Sequence, residues 1–70
     1  MDKFYVIKVI RYHGELAVVR IERNAMGDAW LVNVRAAYDG KRLTGLVNAA
    51  WRDRATARKH ALLLASTYER

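Results

Sequence analysis

The chain of 70 residues has no cysteine and no proline, and its glycines number only four. Without cysteine there is neither a disulfide nor a thiolate metal site to staple a small fold, so packing has to supply its stability. The absence of proline and of low-complexity tracts points to a folded unit and excludes a proline-rich linker or a disordered tail. Acidic residues are scarce, seven against thirteen Lys and Arg. No stretch approaches the roughly 20 apolar residues of a membrane span. The N-terminal run Phe4–Ile10 is broken by Lys8 and lacks a small-residue cleavage site, so it does not read as a signal peptide. A cytoplasmic protein is the expectation.

What is present in quantity is hydrophobic side chain, 53% of the residues. That is ample for one core, and residues 1–70 are read as a single domain near the lower size limit for independent folding. Net charge is +6, and arginine outnumbers lysine nine to four. Such a balance favours an anionic partner, because the planar guanidinium fork matches phosphate and carboxylate. An inert basic surface is the plain alternative.

The first two thirds of the chain read as strands. Lys3 to Tyr12 is rich in Val, Ile, Tyr and Phe. Alternation divides it into Phe4, Val6, Lys8, Ile10 and Tyr12 on one side and Tyr5, Ile7, Val9 and Arg11 on the other. Both sets are largely apolar, which predicts cover on two sides, the second from end loops or from another copy in a homodimer through this strand. His13-Gly14 suits a two-residue hairpin. Leu16 to Arg23 comes next, with Ala17, Val19 and Ile21 on one face and Leu16, Val18, Arg20 and Glu22 on the other. After the loop 24–28, Ala29 to Tyr38 alternates cleanly, Trp30, Val32, Val34, Ala36 and Tyr38 against Leu31, Asn33 and Arg35. Asp39-Gly40 marks another hairpin, and Lys41 to Asn48 returns as a fourth strand, with Leu43, Gly45 and Val47 on one side and Arg42, Thr44, Leu46 and Asn48 on the other.

At Asp53 the period changes from 2 to helical spacing. Asp53 is a good N-cap, and Ala57, Ala61, Leu64 and Tyr68 fall on one stripe with Ala65 at its edge. Trp51 should pack under the first turn. The expected fold is α+β: an antiparallel meander of three to four strands with one C-terminal helix packed on one face, in the order ββββα.

The catalytic inventory is thin. His13 and His60 are isolated, the carboxylates are dispersed, and Ser66 is the lone serine. Asp28, Asp39 and Asp53 suit turn or cap positions. No phosphate loop, dinucleotide fingerprint or metal-ligand spacing occurs, so neither a cofactor, a metal nor an enzymatic activity is expected. The basic residues say more. Arg52, Arg54, Arg58 and Lys59 crowd the helix start, where the dipole is already positive; each costs a few tenths of a kcal/mol, by analogy with dipole effects of about 0.3–1 kcal/mol. An acidic partner would account for them, and so would long side chains lying over apolar surface. Arg20, Arg35 and Arg42, with Lys8 as a further candidate, sit opposite the apolar faces and project from the open side of the sheet among Leu31, Asn33, Thr44 and Leu46. Such a surface can enter a DNA groove, arginine taking guanine edges and phosphates and asparagine taking adenine.

The pattern Trp30…Arg35…Gly40-Lys41-Arg42…Trp51-Arg52-Asp53-Arg54-Ala55-Thr56-Ala57…Ala61 resembles the arm-type (AP2-like) DNA-binding domains of phage integrases over residues 29–65. These combine a tryptophan-bearing strand, a Gly-Lys/Arg hairpin, an aromatic residue before a capped helix, and alanines where helix meets sheet. The resemblance implies that the sheet lies in the major groove with Arg35 and Arg42 as readers. The leading expectation is thus a non-catalytic nucleic-acid-binding module, duplex DNA favoured, using Arg20, Arg35 and Arg42 and the helix-start group Arg52, Arg54, Arg58 and Lys59. RNA is less favoured, because the open face lacks paired aromatics for stacking. The alternative is a phage- or mobile-element-encoded inhibitor, similar in size and style to anti-CRISPR proteins, docking on an acidic host protein.

Overall fold

A computed structural model describes residues 4–45 and 50–68 of the chain. Four strands, β1 (Phe4–Tyr12), β2 (Glu15–Arg23), β3 (Trp30–Ala36) and β4 (Arg42–Gly45), form one antiparallel sheet in the order β1-β2-β3-β4, succeeded by a helix, α1 (Arg54–Tyr68). The ββββα arrangement is the one the periodicity implies. Lys3 and residues 46–48, expected to belong to the outer strands, lie outside the described residues.

The meander arises from local chemistry. His13 and Gly14 both take left-handed backbone conformations, φ 51° and 83°, and Tyr12 pairs with Glu15 across them. This is the two-residue primed turn whose twist suits a hairpin, and it explains why a glycine stands at the second position. Asn24 organises the next loop: its side-chain oxygen accepts from the Asp28 and Ala29 N–H groups, and its amide donates to Asp28. The β3–β4 connection is longer than the two residues Asp39-Gly40. It takes in residues 37–41, closed by Gly40 N–H to Ala36 and Ala36 N–H to Lys41. Tyr38 consequently leaves the apolar face and is 84% exposed.

Two bulges reset the alternation that the sequence alone displays. In β1, Val6 pairs with Arg20 and Lys8 with Val19, leaving Ile7 as the extra residue. The side toward the helix therefore carries Tyr5 and Ile7 before the bulge and Ile10 and Tyr12 after it. Phe4, Val6, Val9 and Arg11 take the other side. Ile10 is buried and Ile7 and Tyr12 pack against the core, whereas Val6 and Val9 remain about half exposed, each 52%. The two apolar faces of β1 are thus largely a phase change within a single inward face. In β4 the register shifts between Val34 and Arg35, and Leu43 is the extra residue, packed against the core.

The core lies between one face of the sheet and α1. Ala17, Val19 and Ile21 from β2 and Trp30, Val32, Val34 and Ala36 from β3 are buried there, together with Ala57, Ala61, Leu64 and Ala65 of the helix. Three alanines at helical spacing let the helix axis come close to the β-branched floor, and Leu64 fills the remaining depth. At the far end Tyr68 meets Tyr12 edge to face at 5.3 Å. Asp53 caps the helix: its carboxylate accepts from the Thr56 N–H at 3.1 Å and the Thr56 hydroxyl at 2.8 Å. Trp51 adds one backbone bridge beside Trp30 and stacks its ring on His60, centroids 4.4 Å apart.

Candidate nucleic-acid interface

The helix covers one face of the sheet, and strand alternation assigns the side chains of the other. Register places Val18 beside Arg35, Arg20 beside Asn33 and Glu22 beside Leu31 on β2 and β3; Arg42 of β4 stands opposite Arg35. β1 adds Phe4 beside Glu22 and Val6 beside Arg20. Arg20, Arg35 and Arg42 therefore share this open face, as their spacing implies. Lys8 does not join them, because the Ile7 bulge brings it into register with Val19.

Two of the three arginines are engaged by a residue that alternation alone does not single out. Glu22 Oε1 accepts from Arg35 Nη2 at 3.2 Å, lies 3.6 Å from Arg20 Nη2, and also accepts from the Asn33 side-chain amide. Arg35 reaches further, donating through Nη1 to the Gly40 carbonyl of the turn at 3.0 Å. Arg20 lies over the Phe4 ring, 4.0 Å from its centroid, a cation–π contact that covers both groups. Both arginine side chains are only 18–25% exposed, whereas Arg42 is open to solvent. Burial works to raise the Glu22 pKa, but the hydrogen bonds from Asn33 and Arg35 and the charges of Arg35 and Arg20 outweigh it. The carboxyl is held below its ordinary value. Ion pairs of this partly exposed kind are worth about 0–1 kcal/mol each, so they orient the guanidiniums more than they stabilise the fold.

Asn33, which alternation sets in the open among the arginines, is only 3% exposed. Its orientation is fixed by chemistry, since Glu22 is an acceptor and must face the amide nitrogen. That leaves Asn33 Oδ1 buried without a hydrogen-bond partner, and Arg20 Nε and Arg35 Nε share that condition. A buried asparagine beside two arginines is within reach of sequence reasoning only through the β2–β3 register, which alternation does not supply.

The second predicted group lies on the opposite side of the sheet. Arg52, Arg54, Arg58 and Lys59 are all exposed at the start of α1, whose first turn holds no acidic residue. Arg54 lies 4.9 Å from the centroid of the Tyr5 ring. Together with Tyr5, Ile7, Ile21 and Arg58 it lines a groove of about 580 Å³ between β1 and the helix start. Asp53 within this group has its pKa lowered, first by its hydrogen bonds from Thr56. The seven basic residues thus divide into a sheet-face set and a helix-start set separated by the thickness of the sheet.

Acid–base groups are sparse on both sides. His13 is exposed in its turn and His60 is stacked under Trp51. Among the described residues no group of three or more His, Asp or Glu is placed to hold a metal ion, and no helix is long and apolar enough to cross a membrane. The chain matches no protein-family model, and neither the curated proteins nor the solved structures contain a significant match to it.

Proposed function

We propose that this protein is a non-catalytic nucleic-acid-binding module that presents the open face of its sheet to duplex DNA. The observation that carries the reading is the gathering of Arg20, Arg35 and Arg42 on the one sheet face that the helix leaves uncovered, in a chain of net charge +6. A two- or three-stranded sheet surface fits the major groove, and arginine serves both phosphates and guanine edges. Arg35, tied to the Gly40 carbonyl, and Arg42 opposite it lie by the β3–β4 turn, the positions that the resemblance to integrase arm-type domains implies for readers. The helix-start arginines face away from this surface and would meet only a second segment of nucleic acid.

A second reading has its own observation. Val6, Val9 and Leu16 are exposed on the β1–β2 half of the same open face, beside the arginines. Apolar strips rimmed by charge are commoner in protein interfaces than in DNA grooves, which favours an inhibitor or adaptor docking on an acidic protein.

Titration of labelled duplex DNA at two salt concentrations, with wild type and an Arg35→Ala/Arg42→Ala double variant, separates the two. The DNA reading expects micromolar binding at about 50 mM salt, with a log–log salt slope of about −0.9 per neutralised phosphate, and weaker, shallower binding by the variant. No binding by wild type under these conditions would reject it in favour of the protein-docking reading.

A further inference from the structure

We propose that Arg20, Asn33 and Arg35 form an anion site that Glu22 occupies as an internal counter-ion, and that a phosphate group of the partner displaces Glu22 when the open face binds. The identity of the anion rests on the nucleic-acid reading above; the exchange rests on side-chain geometry alone.

The geometry is that of a site filled by an imperfect guest. All three contacts to Glu22 converge on one oxygen, Oε1, and each guanidinium reaches it through Nη2 only. A guanidinium that binds a carboxylate or phosphate well does so fork to fork, through two parallel N–H groups. Here the second prong of each fork, Arg20 Nε and Arg35 Nε, is buried with no acceptor, and Asn33 Oδ1 beside them has no donor. Buried donors without acceptors are uncommon and costly, and two of them flanking one carboxylate mark a place where a better acceptor fits. The Asn33 oxygen, itself an acceptor, gains nothing from an anion.

Glu22 cannot supply the missing contacts. It is on β2, two residues from Arg20, so strand period sets its backbone on the same face beside both arginines, and from there its carboxylate meets each guanidinium through Nη2 alone. A phosphate arriving from outside is under no such constraint. Its several oxygens can accept from Nε and Nη2 of both arginines together. The site also carries the right charge for exchange, because two arginines against one glutamate leave one positive charge uncompensated. Once Glu22 swings away, the Asn33 amide N–H is free to donate to the incoming phosphate as well. Glu22 thereby acts as a threshold: a weak or singly charged anion does not evict it, whereas a polyphosphate or nucleic-acid backbone does.

The test monitors the arginine Nε–Hε and Asn33 amide NMR signals of wild type and Glu22→Gln during titration with two probes, inorganic tripolyphosphate and a short labelled duplex. Tripolyphosphate is expected to move the Arg20, Arg35 and Asn33 signals of wild type together, and to bind Glu22→Gln about three- to tenfold more tightly, the range of one or two partly exposed ion pairs released. Duplex binding is expected to tighten in the same variant with the salt slope unchanged, because the same phosphates are neutralised whether Glu22 is evicted or absent. If the variant does not fold, the wild-type titration decides by itself, since the three signals must respond together. Unmoved Arg20 and Arg35 signals, or equal affinity of folded Glu22→Gln and wild type for tripolyphosphate, would overturn the exchange. Tripolyphosphate binding at these residues without duplex binding supports the exchange and rejects the nucleic-acid reading. Equal duplex binding by wild type and variant does the reverse.

Discussion

The backbones of Trp30 and Trp51 exchange two hydrogen bonds, 2.7 and 3.0 Å long, so the segment entering the helix is fastened to β3 beyond the end of β4. The same Trp51 then lays its ring almost parallel to the His60 imidazole, 17° between planes, one face of the contact coming from the sheet edge and the other from the second turn of α1. One residue thereby fixes where the helix begins, along the sheet and against it.

Replacing Trp51 should therefore loosen the helix start more than its partial burial implies. Trp51→Ala is expected to cost about 2–3 kcal/mol, below the range for fully buried aromatics, and His60→Ala about 1 kcal/mol. The double variant should fall short of the sum by about 0.5–1.5 kcal/mol if the stacked pair is coupled. Urea denaturation of the four proteins measures this; strict additivity would mean that the stack contributes no energy of its own.

Further along the helix the contact changes from aromatic to small residues, and both shrinking and enlarging a side chain there should destabilise. Leu64→Ala removes buried volume at the helix–sheet seam and should cost about 2–4 kcal/mol. Ala61→Leu adds volume where Ala61 is fully buried against the sheet, and should cost about 1–3 kcal/mol through overpacking. The exposed neighbour Leu63, by contrast, should tolerate replacement by Ala within about 0.5 kcal/mol. Thermal unfolding monitored by circular dichroism distinguishes the three, and a loss below about 1 kcal/mol for Leu64→Ala would mean the seam lies elsewhere.

That the helix and its stripe are legible in the sequence comes from two local signals that agree: the change of period at Asp53, and a capping carboxylate three residues before Thr56. Strand existence is equally legible, because His13-Gly14 fixes the first hairpin and β-branched residues fill the strands on either side of it. Residue phase inside the outer strands is not. An alternation count assumes one residue per step, and the extra residues Ile7 and Leu43 each break that count. Ile7 has no glycine or proline near it to mark the break, whereas Leu43 lies two residues before Gly45, the glycine that signals an irregularity in β4. In β1 the break is concealed further, since residues on both sides of it are apolar whichever phase is assumed. The candidate site divides along the same line. Co-location of Arg20, Arg35 and Arg42 needs only alternation, whereas capture of two of them by Glu22 and burial of Asn33 need the β2–β3 register, which is a long-range property.

Acid should expose the part played by Glu22. Its pKa lies below the ordinary value of 4.5 in the folded protein, so the stability it contributes is complete above that value and is lost as the pH falls through the folded one. Asp53, lowered by its Thr56 hydrogen bonds, acts with the same sign. Glu22→Gln should accordingly be less stable than wild type at about pH 7, with the difference shrinking at about pH 3, as acid moves the wild-type carboxyl toward its protonated form. Denaturant midpoints at the two pH values provide the comparison. A gap that stays constant or widens in acid would show that Glu22 contributes through shape alone.

Because the basic residues divide between two faces, removing them in pairs should have unequal effects on DNA binding. A duplex seated on the open side of the sheet meets Arg20, Arg35 and Arg42, while the helix-start group faces the other way across the core. Loss of phosphate contacts reduces the salt slope by about 0.9 for each contact removed on duplex DNA. Arg35→Ala/Arg42→Ala should then lower the slope by about 1–2 and weaken binding, whereas Arg52→Ala/Lys59→Ala, two exposed cations taken from the helix start, should lower it by less than about 0.5. Both double variants remove the same formal charge, so a general effect of net charge would act on them equally. Fluorescence anisotropy across a salt series reads both slopes. Equal losses from the two pairs would mean that charge attracts the duplex without orienting it, and a larger loss from the helix-start pair would move the interface to the groove beside Tyr5 and Arg54.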